Sequence, residues 1–441
     1  MKNKKKDNFT LYFYLKKNSI GDKFLMKTYN TAIIGAGASG ILSAIYLNDP
    51  ESILIEKNTT IGKKILITGG GRCNITNTSP LQEYIKKYQY TGNFYRSAFK
   101  TFFYEDIIQL LNDNGCTTKI EDKVKIFPTT DKAKTVHDTL DKILETKTPQ
   151  LLNANVTDII QNHDKTFTIT INNNKKIKAH NVILATGSDA YPQTGSNGDG
   201  LRFAIKLGHS KPEIKLAGLA PINFKETWIN KLAGISLDAK IDFKVGKKSL
   251  IKIEGSILFT HNGLSGNEIY DASSYVDIQL KNGKTIIAHV DFIPDISYDE
   301  LLSKMQKDFD EHPNWGIKRY IHEFLPGKMT SVFLEHMQID ETTILNQITR
   351  KQRNKLCEEL KNNQLTVKEI PENLALVRNS GIKQKEIDPN TCESKIVKNL
   401  YIVGELIEGS GMCGGFNLQK AYSTGVLAAE TIKKTTGVLS N

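Results

Sequence analysis

The spacing of apolar and polar positions changes several times along the chain, and each change predicts an element. Thr31-Ala32-Ile33-Ile34 is a continuous apolar run, Gly35 to Gly40 is a glycine turn, Ile41 to Leu47 has helical spacing, and Ser52 to Glu56 is apolar again. Strand, turn, helix and strand in that order predict one compact βαβ unit, with Met26 opening its first strand. A glycine-dense loop follows at residues 62–77, then helical spacing around 94–113 and 131–145. Residues 151–179 read as a β-hairpin whose turn signal is Asn172-Asn173-Asn174. Asn181 to Ala185 then forms a buried strand leading into a second glycine-rich loop that ends at Gly200.

Between about residues 209 and 297 the segments shorten and alternate, with turn pairs such as Asn282-Gly283, which predicts a mainly β insertion. From Tyr298 to Lys361 the period is helical, as in Leu301-Leu302, Met305 and Phe309. After Pro371 the α/β pattern returns, with an apolar strand at Leu400 to Val403, a glycine turn from Gly409 to Gly415, and a closing helix. That helix places Leu418, Ala421, Tyr422, Gly425, Val426 and Ala429 on one face. A chain of 441 residues exceeds one ordinary core, so several domains are expected. The expected divisions are a basic leading segment 1–27, an α/β domain from 28–208 and 373–437, a β-rich insert from 209–297 and 362–372, and a helical insert 298–361.

Composition narrows the class. The net charge of +11 invites nucleic acid or an anionic membrane as partner, but its distribution argues against both. Residues 1–27 carry eight lysines against Asp7 and Asp22, so more than half of the excess lies in that segment, which reads as a solvated tail. No stretch reaches the roughly 20 apolar residues of a membrane span, and Phe9 to Leu15 is too short, with no cleavage site after it, for a secretory signal. Cys73, Cys116, Cys357, Cys392 and Cys413 lack the paired spacing of a zinc site or disulfide framework, so a reducing cytoplasm is expected.

The candidate chemistry lies at strand ends. In Gly35-Ala36-Gly37-Ala38-Ser39-Gly40 the first glycine allows a tight turn, the second lets backbone approach a pyrophosphate, and the third lets helix pack on strand. Glu56, at the end of the next strand, is placed to accept the ribose hydroxyls of an adenosine. The motif does not separate NAD from FAD. In the loop from Gly62 to Asn74, Gly69-Gly70-Gly71 bring backbone N–H groups close to a ligand, while Lys63 and Arg72 are placed to balance phosphate charge or that of a reduced flavin. Thr186-Gly187 ends a buried strand, as does Gly404-Glu405, whose carboxylate suits a ribityl chain. Gly415-Phe416-Asn417-Leu418-Gln419 starts a helix whose dipole favours negative charge at a flavin's pyrimidine edge. Sites spread over almost the whole chain imply one long ligand held by both ends, and FAD has that length.

The strings GAGASG, KKILITGGGRCNITN, ATGSDAYPQTGSNGDG, LFTHNGLSG and EIDPNTCESKIVKNLYIVGELIEGSGMCGGFNLQKAYSTG closely resemble a bacterial family of aminoacetone-oxidase-like and 3-dehydro-bile-acid-reductase-like FAD oxidoreductases. The resemblance runs over residues 28–435. It implies a glutathione-reductase-like Rossmann FAD domain built from both chain ends and interrupted by a β-barrel-like module and a helical module. It also implies FAD contacts at Gly35 to Gly40, Glu56, Lys57, the 63–74 loop with Gly70, Gly71, Arg72, Cys73 and Asn74, then Val156, Thr186, Gly187, Gly404, Glu405, Asn417, Leu418 and Gln419. Where the family commonly has Thr-x-Gly-Gly-Val, this chain has Arg378-Asn379-Ser380-Gly381-Ile382, and Ser380 in place of glycine narrows the substrate side.

Flavin chemistry asks little of the protein beyond positioning. His261, in Phe259-Thr260-His261-Asn262-Gly263, is the candidate proton donor or substrate anchor. A histidine satisfied within a tight turn is the competing reading. The leading expectation is hydride transfer between FAD and a small or medium organic substrate, with no nucleic acid or membrane partner. With no second GxGxxG, NAD(P)H would visit the flavin only transiently. A flavin monooxygenase, or a non-catalytic flavoprotein with a nucleic-acid-binding tail, stands as the alternative.

Overall fold

The structure, a computed structural model, describes residues 27–172 and 174–436. The expectations for the leading segment, for Met26 and for Asn173 therefore lie outside the described residues, wholly or in part. The chain divides into two compact units, Met1–Lys215 with Val377–Asn441, and Leu216–Leu376.

The first unit is built on a seven-stranded sheet. Thr28–Ile34 pairs in parallel with Ile53–Ile55 on one side and with Lys175–Leu184 on the other. Gln150–Leu151 extends the parallel sheet beyond Ile53–Ile55, and Leu400–Ile402 pairs in parallel with the end of Lys175–Leu184. A strand from near the C-terminus thus lies two places from the opening strand. Ala32, Ile33, Val182, Ile183, Leu400 and Ile402 are all fully buried, as expected of a sheet covered on both faces. The helices Ala38–Leu47 and Phe416–Thr436 pack against each other, and Ser43 Oγ donates to Gly425 O at 3.0 Å. This is the expected Rossmann-type domain made from both chain ends.

Several elements differ from expectation. The hairpin is a three-stranded meander, Val156–Gln161, Phe167–Ile171 and Lys175–Leu184, and the separate strand read at 181–185 is the second half of the last one. The helical stretch at 94–113 breaks into Arg96–Thr101 and Tyr104–Asp113 where Phe102 turns extended. The closing helix is buried around most of its girth between Tyr422 and Ala429, whereas Leu418 stays partly exposed.

The second unit contains a closed six-stranded barrel in the order Ile222–Phe224, Gly263–Ser265, Lys248–Phe259, Ser236–Val245, Ile287–Asp291 and Asn363–Glu369. Its interior is filled by alternate residues, among them Ala239, Ile241, Phe243, Ile257, Phe259, Val290 and Leu365. The helices Tyr298–Glu311, Gly327–His336 and Arg350–Asn362 belong to the same unit and share its core. One helix of this unit was not anticipated. Asn267–Lys281 lies inside the region expected to be β, and Asn282 is its C-cap rather than part of a hairpin turn. It buries polar as well as apolar side chains: Asp277 Oδ2 accepts from Ala217 N–H at 2.8 Å and Ser273 Oγ from Ala220 N–H at 3.2 Å. A helix that buries Ser and Asp carries a blurred apolar stripe, which is why its period was lost.

Candidate functional site

The glycine motif follows directly on the opening strand. Gly35 has φ +98°, and a Cβ there would lie 2.8 Å from Ala185 O, so the second glycine loop packs on the first turn. A Cβ on Gly40 would come within 1.9 Å of Gly35 O, so the third glycine sets the approach of helix to strand. Gly37 is different. A Cβ there would meet nothing within 4 Å, and the helix it starts has no side-chain cap. Open space in front of uncapped first-turn N–H groups suits a phosphate. Ala38 and Ser39 form that first turn.

The Glu56 side chain is buried at the end of its strand. Its Oε2 accepts from Ala36 N–H at 2.8 Å, and its Oε1 from Asn58 N–H at 2.8 Å and Asn58 Nδ2 at 2.7 Å. The carboxylate therefore ties the glycine turn to the next strand end. Lys57 Nζ reaches Asn197 Oδ1 at 2.9 Å and Asp199 at 3.0 Å, and Lys63 Nζ donates to Asn58 Oδ1 at 2.9 Å. Ala154 N–H donates to Glu56 O at 2.9 Å, which brings Val156, a buried strand residue, alongside this corner.

Gly70 and Gly71 both have positive φ and open space at the Cβ position. Arg72 is engaged elsewhere. Its guanidinium is held by Asp131 and Glu121 and lies over the Phe127 ring. The carboxylates hold its pKa above the ordinary value. Cys73 is fully buried, and burial pushes its thiol up to about 12, which leaves no thiolate for redox work near neutral pH. Asn74, with its amide oriented to satisfy both neighbours, bridges Thr76 O and Gly415 N–H.

Glu405 is a hub. Its Oε1 accepts from Ser188 Oγ at 2.8 Å and Arg378 N–H at 3.1 Å, and its Oε2 from Lys64 Nζ at 2.8 Å. A Cβ on Gly187 would come within 4.0 Å of this carboxylate, and one on Gly404 within 2.6 Å of Ser39 Oγ. Thr186 lies at the same crossing: its Oγ1 would be 1.8 Å from a Cβ on Gly200. Gly415, with φ +89°, presses against the Thr76 backbone. Asn417 clasps Gly411 through both N–H and C=O, and Gln419, fully buried, accepts from Thr76 Oγ1 at 2.6 Å. The glycine loops read separately in the sequence thus converge at the carboxyl ends of the parallel strands. Leu418 adds only a partly buried side chain.

Sequence reasoning missed the roles of Arg378, Lys64 and Lys420. Arg378 is buried and pairs through Nε with Asp189 at 2.6 Å. Burial alone would raise the Asp189 carboxyl, but its pairs with Lys215 and Arg378 hold it below the usual range. The only forewarning of this pair was the departure at Arg378 to Ile382. His261 belongs to the second unit, in the turn between two barrel strands, and its side chain is exposed. Among the described residues no cluster of His, Cys, Asp and Glu could hold a metal, and no helix is long and apolar enough to cross a membrane.

The HI0933-like protein Rossmann domain family matches residues 29–431. The chain belongs to the HI0933-like Rossmann family. The chain is 30% identical to the 3-dehydro-bile acid delta(4,6)-reductase of Clostridium scindens, over 90% of this chain and 97% of that protein. It is an FAD-dependent oxidoreductase. It is 28% identical to the ribosomal RNA dihydrouridine synthase of Haemophilus influenzae, over 91% of this chain and 98% of the relative. Among solved structures, a flavocytochrome c3 fumarate reductase aligns with a TM-score of 0.50 and 16% identity, over 97% of this chain and 81% of the other, and shares its fold.

Proposed function

We propose that the protein reduces a carbon–carbon double bond conjugated to a carbonyl in an organic substrate, with NAD(P)H recharging its flavin. One observation carries the reading. Relatives aligned over nine-tenths of this chain are named for two unlike substrates, a 3-dehydro-bile acid and ribosomal RNA. Both names describe adding hydrogen across a ring double bond beside a carbonyl.

The FAD site is part of the proposal. The open corner at Gly37, the uncapped helix start, and the glycine space at Gly70 and Gly71 fit a dinucleotide. In this reading Gly35 to Gly40 hold the pyrophosphate, Glu56 with Lys57, Lys63 and Val156 surrounds the adenosine, and Glu405 with Thr186 and Gly187 meets the ribityl chain. Asn74, Gly415, Asn417 and Gln419 hold the start of the closing helix towards the pyrimidine edge. Bound FAD supplies the hydride.

The test is anaerobic. The FAD-loaded protein is mixed with NADH or NADPH, loss of flavin colour is followed, and reoxidation is then tried with a 4-en-3-oxo steroid, a uridine-containing ribosomal RNA, and saturated analogues of each. Reoxidation by an unsaturated acceptor and not by its saturated partner is expected. If only oxygen restores the colour, with an amine oxidised or a hydroxylated product formed, the reading falls.

A further inference from the structure

Lys420 is a buried titratable group that the reading above leaves unused. It lies one turn into the closing helix and is 2% exposed. Lysines are almost never buried this deeply without partners. Its ammonium donates to Ile407 O at 2.9 Å and to Gly409 O, and sits 4.8 Å from the centre of the Tyr95 ring. The Tyr95 hydroxyl donates to Glu408 O at 2.5 Å. Two side chains therefore take three successive carbonyls of one strap.

That strap has little freedom. A Cβ on Gly409 would meet Thr91 Oγ1 at 2.2 Å, and one on Gly411 would meet Tyr88 and Phe416 at 2.8 Å. Asn379 Oδ1 accepts from Ser410 N–H at 2.8 Å. The strap then leads through Gly414 and Gly415 into the helix start. Among the described residues no carboxylate pairs directly with Lys420.

We propose that Lys420 is a positioning residue for the flavin: it fastens the Ile407–Gly409 strap to the start of the closing helix and keeps a positive charge behind that helix end, so that reduced, anionic FAD is favoured over oxidised FAD. The inference rests on FAD lying on this domain as read above and does not depend on the substrate. The charged and titratable groups facing Lys420 are few. Glu405 and Glu408 favour the ammonium at longer range, but burial outweighs them and brings Lys420 down to about 7. Burial raises Tyr95 and the adjoining Tyr88 well above their ordinary value, so both stay neutral. The charge, and its effect on FAD, should therefore fade as pH rises through neutrality.

The experiment measures the midpoint potential of bound FAD from pH 6 to pH 9, without substrate, in the wild type, Lys420→Met and Lys420→Arg. At pH 6 Lys420→Met should lose at least tenfold of the preference for reduced over oxidised FAD, about 30 mV for a two-electron couple. The wild type should converge on Lys420→Met above neutrality. Lys420→Arg, whose guanidinium keeps its proton, should hold the acid-side preference to pH 9. Lys420→Met with the wild-type potential and pH slope overturns the proposal. Should Lys420→Met not fold, Lys420→Arg decides: loss of the wild-type inflection near neutrality supports it, and an unchanged inflection overturns it. Protein that takes up no FAD ends both this proposal and the flavin site, whereas FAD uptake with an unaltered potential ends this proposal alone.

Discussion

At the scale of single residues, the arrangement is governed by buried polar groups. Removing the Glu56 carboxylate strands the Ala36 and Asn58 N–H donors it accepts from, and an unsatisfied buried group costs about 1–3 kcal/mol. Glu56→Ala should therefore lower the melting temperature and weaken FAD binding at least tenfold, measured by flavin fluorescence titration. Lys420 gives a pH signature of its own. Its ordinary value of 10.5 falls to about 7 on folding, so below pH 7 both states hold the proton and the full penalty of burying the charge is present. Above pH 7 the folded state sheds its proton first, and stability should rise until the unfolded lysine titrates in turn. The rise is on the order of a few kcal/mol and should vanish in Lys420→Met, as read by urea unfolding at a series of pH values. Cys73 should resist iodoacetamide in the native protein at pH 8, because burial keeps its thiol protonated. Partly exposed Cys413 should react, and peptide mass mapping distinguishes the two.

At the scale of elements, glycines separate folding from binding. Gly37→Ala adds a Cβ into open space, so the FAD-free protein should melt at the wild-type temperature while FAD affinity falls at least tenfold. Gly40→Ala drives a Cβ to within 1.9 Å of Gly35 O, and Gly425→Ala to within 2.4 Å of Ser39 O. Both should destabilise the FAD-free protein by about 1–3 kcal/mol or more, seen by calorimetry without ligand. The same scale shows where periodicity was readable. Thr31 to Ile34, followed by the glycine turn and Ile41 to Leu47, announced a βαβ unit because apolar runs and glycines alternate cleanly there. Asn267–Lys281 did not announce itself: Ser273, Ser274 and Asp277 are buried, and Ser273 and Asp277 satisfy backbone groups of a neighbouring segment. Asn282-Gly283 serves a helix end as readily as a hairpin, so the pair misled.

At the scale of the whole molecule, each unit has a core of its own. All residues of the barrel-unit core lie between Ala217 and Ala375, and the cores of the first unit draw on both flanking segments. A fragment of residues 216–376 should accordingly fold alone, with a cooperative thermal transition and no FAD binding. Non-cooperative melting or FAD uptake by that fragment would contradict this division.

The strand ends with their glycines were legible in the order of residues alone, because tight turns and close backbone approach demand glycine locally and few other residues meet that demand. So was the use of both chain ends, since an apolar strand and a glycine-led helix recur beyond Pro371. Tertiary structure alone decided which charges are free to meet a ligand. Arg72 and Lys64 look alike in a glycine-rich loop, yet one is captured by Asp131 and Glu121 and the other by Glu405, with Asp131 59 positions and Glu405 341 positions away. Lys420 sits in a helix start whose neighbours read as cofactor contacts, and only folding removes its water and makes its proton negotiable. Partners distant in sequence, and the loss of solvent they bring about, leave no mark on local periodicity.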